Sequence, residues 1–383
     1  YAGTEFGFFV SLDNGATWMS LQQNLPATPV TDLRVHRGDL VISTMGRAFW
    51  VMDNISPLRQ LARARLSISN GPRGGAVAGT TGRVAGDGVT APLAAQSGLD
   101  LSRPQLLQPA DRIRYRASGG NRRGTSPEYP SVALAIDYIL PPGYSGPLSL
   151  EIVDSKGRVV RTVSAASSGG GARGRARGGG GEQDMRFTGR GRGGGAASLT
   201  TKPGHNRFMW DYRWANGGPL VAPGQYTARL TSASGTESHT FEVLVDPGVL
   251  KDGTTVADLV EQQEFLLQLR QTINEANETR QRIEAAMQKA GVEPPPAPGP
   301  GESTTEQIEA LEQRGTPSAK LQALWARMVT ARGTYEQPML LDQLNSINRA
   351  ESGADQKIGT ESRRRYEDLV RELKAIQQAL AGM

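Results

Sequence analysis

SLDNGATW, which spans residues 11–18, has the spacing S-x-D-x-G-x-T-W and follows the strand-forming run Phe8–Val10. Asp13 can accept hydrogen bonds from backbone amides that follow it, and Gly15 can adopt the positive φ that such a turn needs. Ser11 and Thr17 are expected to face each other, with Trp18 packed against a sheet. The stretch therefore predicts a β-hairpin in which Asp13 holds the turn and has no catalytic role.

The pattern formed by Ser11, Asp13, Gly15, Thr17 and Trp18 resembles the Asp-box of BNR repeats. Asp-boxes occur on β-propeller blades of sialidases, sortilin-type receptors and many bacterial secreted proteins. The resemblance implies that residues 1–60 form a terminal blade segment of a propeller. It also implies a structural Asp13, because Asp-boxes lie on the blade rim, away from the central funnel.

Six short strand-forming runs fill residues 1–55, namely YAGTE, FGFFVSL, ATWMSL, VTDLRVH, DLVISTM and RAFWVMD. Six strands make about one and a half four-stranded blades, whereas a propeller normally has at least four blades. Such a fragment would leave open strand edges and an uncovered face. We therefore expect further blades, another subunit or the following domains to cover the face formed by Phe8, Val10, Trp18, Phe49 and Trp50.

Composition limits the classes of protein that fit these 383 residues. The 47 glycines and 23 prolines indicate folded domains that alternate with long connections, and the net charge is only +5. The absence of cysteine excludes disulfides and thiolate metal sites. No run of eighteen apolar residues is present, and the chain begins without a methionine or a leader. We interpret it as a trimmed or partial chain and predict a periplasmic or secreted bacterial protein.

The remaining sequence predicts three further regions. Residues 61–104 form a Gly-rich flexible linker. Residues 105–247 contain six or seven short strand-forming runs, which predict an immunoglobulin-like β-sandwich with Trp210 and Trp214 as core and rim anchors. Residues 248–383 form a helical domain. The predicted fold class is therefore multidomain and mainly β plus α, with partial propeller blades, a sandwich and a helical bundle.

The sandwich carries a Gly/Arg-rich insert at residues 167–198. Its arginines suggest RNA binding, but Phe187 is the only aromatic residue available for base stacking, and the insert joins two strands. We predict a flexible loop and no nucleic acid partner. If the loop binds, an anionic surface such as lipid headgroups or an acidic protein face is at least as plausible as RNA. The arginines concerned are Arg173, Arg175, Arg177, Arg186, Arg190 and Arg192.

The helical domain opens with an apolar stripe of seven-residue spacing that ends before PPPAPGPG at residues 294–301. Arg280 interrupts this stripe and is expected at its rim, with the charged group in water. Further helices are predicted at residues 303–314, 317–332, 337–350 and 360–381. The stripe consists of Leu259, Leu266, Leu269, Ile273, Ala276, Ile283 and Met287, and the face of the last helix consists of Tyr366, Leu369, Val370, Leu373, Ile376 and Leu380.

Most of the chain outside the two Gly-rich segments resembles the C-terminal half of large bacterial exported proteins with sortilin-like BNR propellers. The resembling stretches include AGTEFGFFVSLDNGATW, LPATPVTDLRVHRGDLVISTMGRAFWVMDNISPLRQL, GHNRFMWDYRW and QPMLLDQLNSINRAESGADQKIG. The family implies the order propeller, immunoglobulin-like sandwich and helical C-terminus. Many members carry the name glycosyl hydrolase through the likeness to sialidases. The family usually has T-H-G-R where this chain has Thr44-Met45-Gly46-Arg47, so any role of that histidine is absent here.

No catalytic, metal or cofactor site is predicted. Glu5, Asp13 and Asp53 form no evident acid–base pair for glycoside hydrolysis, and the three histidines at 36, 205 and 239 lack metal-ligand spacing. Two functions from different classes remain. The first is a non-enzymatic extracytoplasmic scaffold subunit that binds other protein subunits, with a membrane-embedded complex as one candidate. The second is the accessory C-terminal half of a sialidase-like hydrolase whose active site lies in other blades.

Overall fold

A computed structural model describes residues 1–69, 100–116, 132–165, 198–215, 217–299, 301–331 and 337–383. The chain divides into two compact units. Unit 1 consists of Tyr1–Arg112, Ala117–Asp211 and Gly224–Val243, and unit 2 consists of Ile113–Arg116, Tyr212–Pro223 and Leu244–Met383. Unit 1 is built mainly from strands and unit 2 mainly from helices, so the predicted combination of β and α structure is confirmed.

Two small antiparallel sheets form the first part of unit 1. The strands β1 (Ala2–Thr4), β2 (Gly7–Val10) and β3 (Met19–Ser20) make one sheet, and β4 (Val30–His36), β5 (Asp39–Thr44) and β6 (Phe49–Met52) make the other. All six predicted strands are confirmed. Their shared core contains the buried side chains of Phe8, Leu25, Leu40, Ile42 and Ile55.

The helix α1 (Ser56–Ser69) follows these sheets and extends into the predicted linker. A flexible linker was expected from residue 61, but the helix continues through residue 69. Pro57 suits the first turn of a helix, and the leucine, arginine and alanine residues after it are good helix formers. Residues 70–99 of the predicted linker lie outside the described residues.

The other strands, which lie mainly in unit 1, form two antiparallel sheets that pack on each other. One has the order β11-β10-β13-β14-β8, and the other has the order β12-β9-β7. Trp210 is fully buried between them, and its ring lies 5.6 Å from Tyr226 and 6.2 Å from Phe241. The strands are β7 (Gln105–Leu106), β8 (Arg112–Arg114), β9 (Leu134–Leu140), β10 (Leu148–Asp154), β11 (Val159–Ser164), β12 (Gly204–Trp210), β13 (Gly224–Ser232) and β14 (Gly235–Val245).

Unit 2 contains the helices α2 (Pro247–Lys251), α3 (Val256–Ala290), α4 (Thr304–Arg314), α5 (Pro317–Met328), α6 (Leu340–Ser352) and α7 (Thr360–Ala381). The predicted helical segments are confirmed with small shifts at their ends. Capping boxes start α3 at Thr255 and α4 at Ser303, as expected for Ser or Thr followed three residues later by an acid. The stripe of α3 is buried against α5, α6 and α7, and Arg280 lies at its rim, paired with Glu284 at 2.8 Å.

A buried ion cluster links two sequence segments of unit 2, residues 113–116 and the loop after α6. The Asp355 carboxylate accepts from Arg114 at 2.8 Å and from Arg116 at 2.9 Å, and the side chains of Asp355 and Arg114 are almost inaccessible. Arg116 also donates to the Ser352 carbonyl at 2.7 Å. The loop after α6 is thereby tied to residues 113–116, which are distant in sequence.

No helix among the described residues combines the length and apolar character needed to cross a bilayer.

Candidate interaction surface

The 11–18 turn is held together by the Asp13 side chain. Its carboxylate accepts from the Thr17 backbone N–H at 2.8 Å, from the Thr17 hydroxyl at 2.5 Å and from the Ser11 hydroxyl at 2.9 Å. The Gly15 N–H donates to the Ser11 oxygen at 2.7 Å, and Gly15 has a φ of +92°. Each polar residue of the pattern therefore bonds within the turn, and the Asp13 carboxylate serves the local backbone.

Trp18 differs from the expectation that it packs into a sheet, because 49% of it is exposed. A Cβ added to Gly15 would lie 4.0 Å from the Trp18 ring, so the indole covers the glycine of its own turn. A shallow depression beside it is lined by Tyr1, Ser11, Leu12, Asn14, Gly15, Trp18 and Ala62. This lining contains no carboxylate or histidine that could act in acid–base chemistry.

The aromatic face predicted from Phe8, Val10, Trp18, Phe49 and Trp50 does not exist as one face. Phe8 and Val10 are buried inside unit 1, and Trp50 packs against the same core as Ile42. Successive side chains of a strand point to opposite faces, so Phe49 and Trp50 lie on different sides of β6. Phe49 is 76% exposed. Residues of this chain thus cover part of the predicted set and leave Trp18 and Phe49 accessible.

Exposed apolar side chains are concentrated at the N-terminal sheets. Among the described residues, fourteen large apolar side chains are exposed, and seven of them fall within residues 1–52. Scattered exposed apolar residues are normal, whereas a contiguous exposed apolar patch marks an interaction site. Phe49 and Val51 share one face of their sheet, and Val35, which is paired with the buried Leu40, lies on the other face. We call the whole set the N-terminal apolar surface, and it comprises Phe6, Trp18, Met19, Val35, Met45, Phe49 and Val51.

The hairpin between β5 and β6 presents part of this surface on a fixed backbone. The Met45 N–H donates to the Pro29 carbonyl at 2.9 Å, and the Thr28 hydroxyl donates to the Met45 carbonyl at 3.0 Å. The Trp50 indole N–H donates to the Arg47 carbonyl at 2.9 Å. These bonds order the hairpin tip before any partner binds, which reduces the entropy lost on binding.

Asp137 lies at the centre of a polar network behind these sheets. Its side chain on β9 is 3% exposed and accepts from Arg207 at 2.6 and 3.2 Å and from the His205 ring at 2.8 Å. The side-chain amide of Asn54, two residues before α1, donates to the second Asp137 oxygen, Oδ2, at 3.4 Å. Burial would raise the pKa of Asp137, but the bonds from His205 and Arg207 and the charge of Arg207 outweigh it and hold this pKa below its ordinary value.

Two more contacts attach the N-terminal sheets to the rest of unit 1. Arg112 binds both Asp39 oxygens, at 2.6 and 3.1 Å. Gln60 on α1 and Gln108 exchange two hydrogen bonds of 2.8 and 3.0 Å. Together with the Asp137 network, these contacts fix the N-terminal sheets to the packed sheets of the same unit.

The Asp137 network was not predicted from the sequence, although the sequence carries a signal for it. Asp137 interrupts the apolar run LAIDYIL, and a buried carboxylate in such a strand requires a cation or several donors. Arg207 stands directly opposite Asp137 in the β9–β12 register. The two remaining histidines have simpler surroundings: His36 is exposed, and His239 bonds the Leu106 carbonyl at 3.1 Å while burial lowers its pKa.

The described residues contain no group of three or more His, Cys, Asp or Glu side chains that could hold a metal ion. The arginines predicted to contact an anionic surface lie outside the described residues, so their role stays a prediction. They are Arg173, Arg175, Arg177, Arg186, Arg190 and Arg192.

Comparison of the chain with protein-family models, with curated proteins and with solved structures found no match.

Proposed function

We propose that this chain is a non-enzymatic scaffold subunit that docks on a larger protein complex through the N-terminal apolar surface. The observation that carries the proposal is the concentration of exposed apolar side chains within residues 1–52. A stable soluble surface rarely keeps such a concentration unless a partner covers it. The proposed location is extracytoplasmic, and a membrane-embedded complex is one candidate for the partner.

Rigid attachment of this surface supports the docking role. The bonds of Asp39, Asn54 and Gln60 to Arg112, Asp137 and Gln108 hold the N-terminal sheets in place within unit 1. A surface that is ordered before binding loses less conformational entropy when it binds. Rigid attachment of the N-terminal sheets therefore suits a permanent contact with a partner better than attachment through a flexible tether would.

We also propose that residues 1–60 are blade segments of a propeller and that the two packed sheets of unit 1 are an immunoglobulin-like sandwich. The Asp13 turn, with all its polar residues bonded internally, supports the first assignment. Face-to-face packing of two antiparallel sheets around Trp210 supports the second.

Purification of the tagged chain from its native cells in mild detergent tests the docking function. We expect at least one protein to co-elute in fixed stoichiometry, and we expect the double variant Phe49→Ser, Val51→Thr to lose it. The variant Val159→Thr is a matched control, since Val159 is also an exposed edge valine of unit 1. Elution of the wild-type chain as a monomer from both soluble and membrane fractions would refute the proposal.

A turnover assay tests the non-enzymatic part. The purified chain is expected to hydrolyse neither a sialoside nor an aryl glycoside, because the Asp13 carboxylate is engaged by its own turn. Measurable hydrolysis of either substrate by the purified chain would refute the non-enzymatic assignment.

A further inference from the structure

The strand β6 has one edge that no other described strand bonds, because it is the end strand in the order β4-β5-β6. Native proteins usually protect such an edge with a charge, a proline or a bulge. The strand Phe49–Met52 has the sequence FWVM, without charge or proline, and its register with β5 is regular. The edge therefore lacks these three forms of protection against an added strand.

The alternation of hydrogen-bonded and non-bonded pairs between β5 and β6 shows which backbone groups of β6 point to this edge. The Thr44 N–H donates to the Ala48 carbonyl at 3.2 Å, and the pairing continues from Ser43↔Phe49 to Leu40↔Met52. Bonded and non-bonded pairs alternate along an antiparallel ladder, so Phe49 and Val51 belong to non-bonded pairs. Their N–H and C=O groups point away from β5 and are available to another strand.

The side chains of the same two residues lie on one face of the sheet and are accessible. Phe49 is 76% exposed and Val51 is 56% exposed. Val41 lies opposite Val51 in the register and extends the apolar row across β5. A strand added at the edge would place alternate side chains beside Phe49 and Val51, where cross-strand apolar pairs stabilise a sheet.

Positive charge lies at one end of this edge. Arg47 stands two residues before Phe49 and forms no ion pair with any residue that the structure describes. The C-terminal end of an added antiparallel strand would lie beside Arg47 and favour an acidic residue there.

We propose that the β6 edge binds an extended segment of a protein partner as an added antiparallel strand. The segment has apolar residues beside Phe49 and Val51 and an acidic residue near its C-terminal end beside Arg47. Strand addition to an exposed edge is a recurring mode of peptide recognition, in which backbone bonds give affinity and alternate side chains give specificity. This inference rests on the proposed docking function and specifies the chemistry of the partner.

Selection from a phage-displayed library of random twelve-residue peptides on the immobilised full chain tests the proposal. We expect enriched peptides to alternate apolar residues and to carry Asp or Glu near one end. Val51→Pro should weaken binding of the best peptide at least tenfold, since proline removes an edge N–H at a position that β5 does not use. Arg47→Glu should shift the enriched end residue from acidic to Lys or Arg.

The Arg47→Glu variant keeps the test decisive if Val51→Pro misfolds. It requires the enriched peptides to gain a new preference for a basic end residue, which misfolding could not produce. Circular dichroism melting of each variant monitors folding, and Val159→Thr serves as the unaffected control. Enrichment without alternation, or an end preference that ignores Arg47→Glu, would overturn the proposal. The proposal would also be overturned if no peptide is enriched and Val51 is instead required for homodimer formation or for binding to phosphatidylglycerol vesicles.

The outcomes also separate this proposal from the docking function. A partner that still co-purifies with the Val51→Pro chain would overturn strand addition and leave docking intact. A wild-type chain that purifies as a monomer would refute docking whatever the peptide selection gives.

Discussion

Asp137 accepts four hydrogen bonds from Arg207, His205 and Asn54 while it is almost fully buried. Asp13 accepts three bonds from Ser11 and Thr17 near the surface. The first carboxylate joins strands that are far apart in sequence, and the second closes a local turn. Only the role of Asp13 can be predicted from a short sequence pattern, because its hydrogen-bond partners lie within four residues of it.

Replacement of Asp13 by alanine should destabilise the N-terminal sheets. The free energy of unfolding should fall by about 1–2 kcal/mol, because the backbone and hydroxyl donors of Thr17 and Ser11 lose a charged acceptor. Hydrogen exchange of residues 8–20 in the full chain measures this locally. Glu5→Ala is the control, since Glu5 is an acid of the same sheet region. Equal exchange in the two variants would show that Asp13 does not hold the turn.

Acid should remove the contribution of Asp137 to stability. A carboxylate whose folded pKa is depressed stabilises the fold above its ordinary value of 3.8, and this contribution is lost as the pH falls below that value. Asp137→Asn should therefore cost about 1.5–3 kcal/mol at pH 7, because the hydrogen bonds from Arg207 and His205 lose a charged acceptor while the Arg207 side chain stays partly in water. The difference from the wild type in denaturant melts should shrink below pH 3.8. A difference that stays constant with pH would contradict this account.

At the scale of elements, patterns in the sequence located the strands of residues 1–52 and the helices of unit 2. Turn residues and strand formers marked β1–β6, and the spacing of apolar residues marked the long helices. The short strands β7 and β8 escaped prediction because two or three residues show no periodicity. The expected aromatic face failed for another reason: Phe49 and Trp50 are neighbours in a strand, and alternation places them on opposite faces.

The stability of unit 2 should depend strongly on Asp355, which lies in the loop after α6. Asp355→Asn should lower the free energy of unfolding of unit 2 by about 3–5 kcal/mol, because it leaves the buried Arg114 guanidinium without its carboxylate. Asp368→Asn is the matched control, since its pair with Arg371 is exposed, and it should change stability by about 0.5 kcal/mol or less. Guanidinium denaturation followed at helical wavelengths measures both. Similar losses of unfolding free energy in Asp355→Asn and Asp368→Asn would show that the buried pair is no more important for stability than the exposed pair.

At the scale of the whole molecule, the sequence predicted separate modules on flexible connections. Unit 1 contains the N-terminal sheets and the packed sheets, joined by Gln60 with Gln108, Arg112 with Asp39 and Asn54 with Asp137. These pairs are separated by 48 to 83 residues in sequence, so no local pattern could reveal them. The candidate surface is consequently part of a folded unit and available as a fixed docking face.

The most direct test of the central claim is the native mass of the particle that contains this chain, measured by mass photometry after mild extraction from its own cells. We expect a mass well above that of the chain alone. We also expect that Phe49→Asp with Val51→Asp reduces the mass to that of the free chain, while Val159→Asp leaves it unchanged. A wild-type particle with the mass of one chain, or a particle unaffected by the double substitution, would contradict the claim.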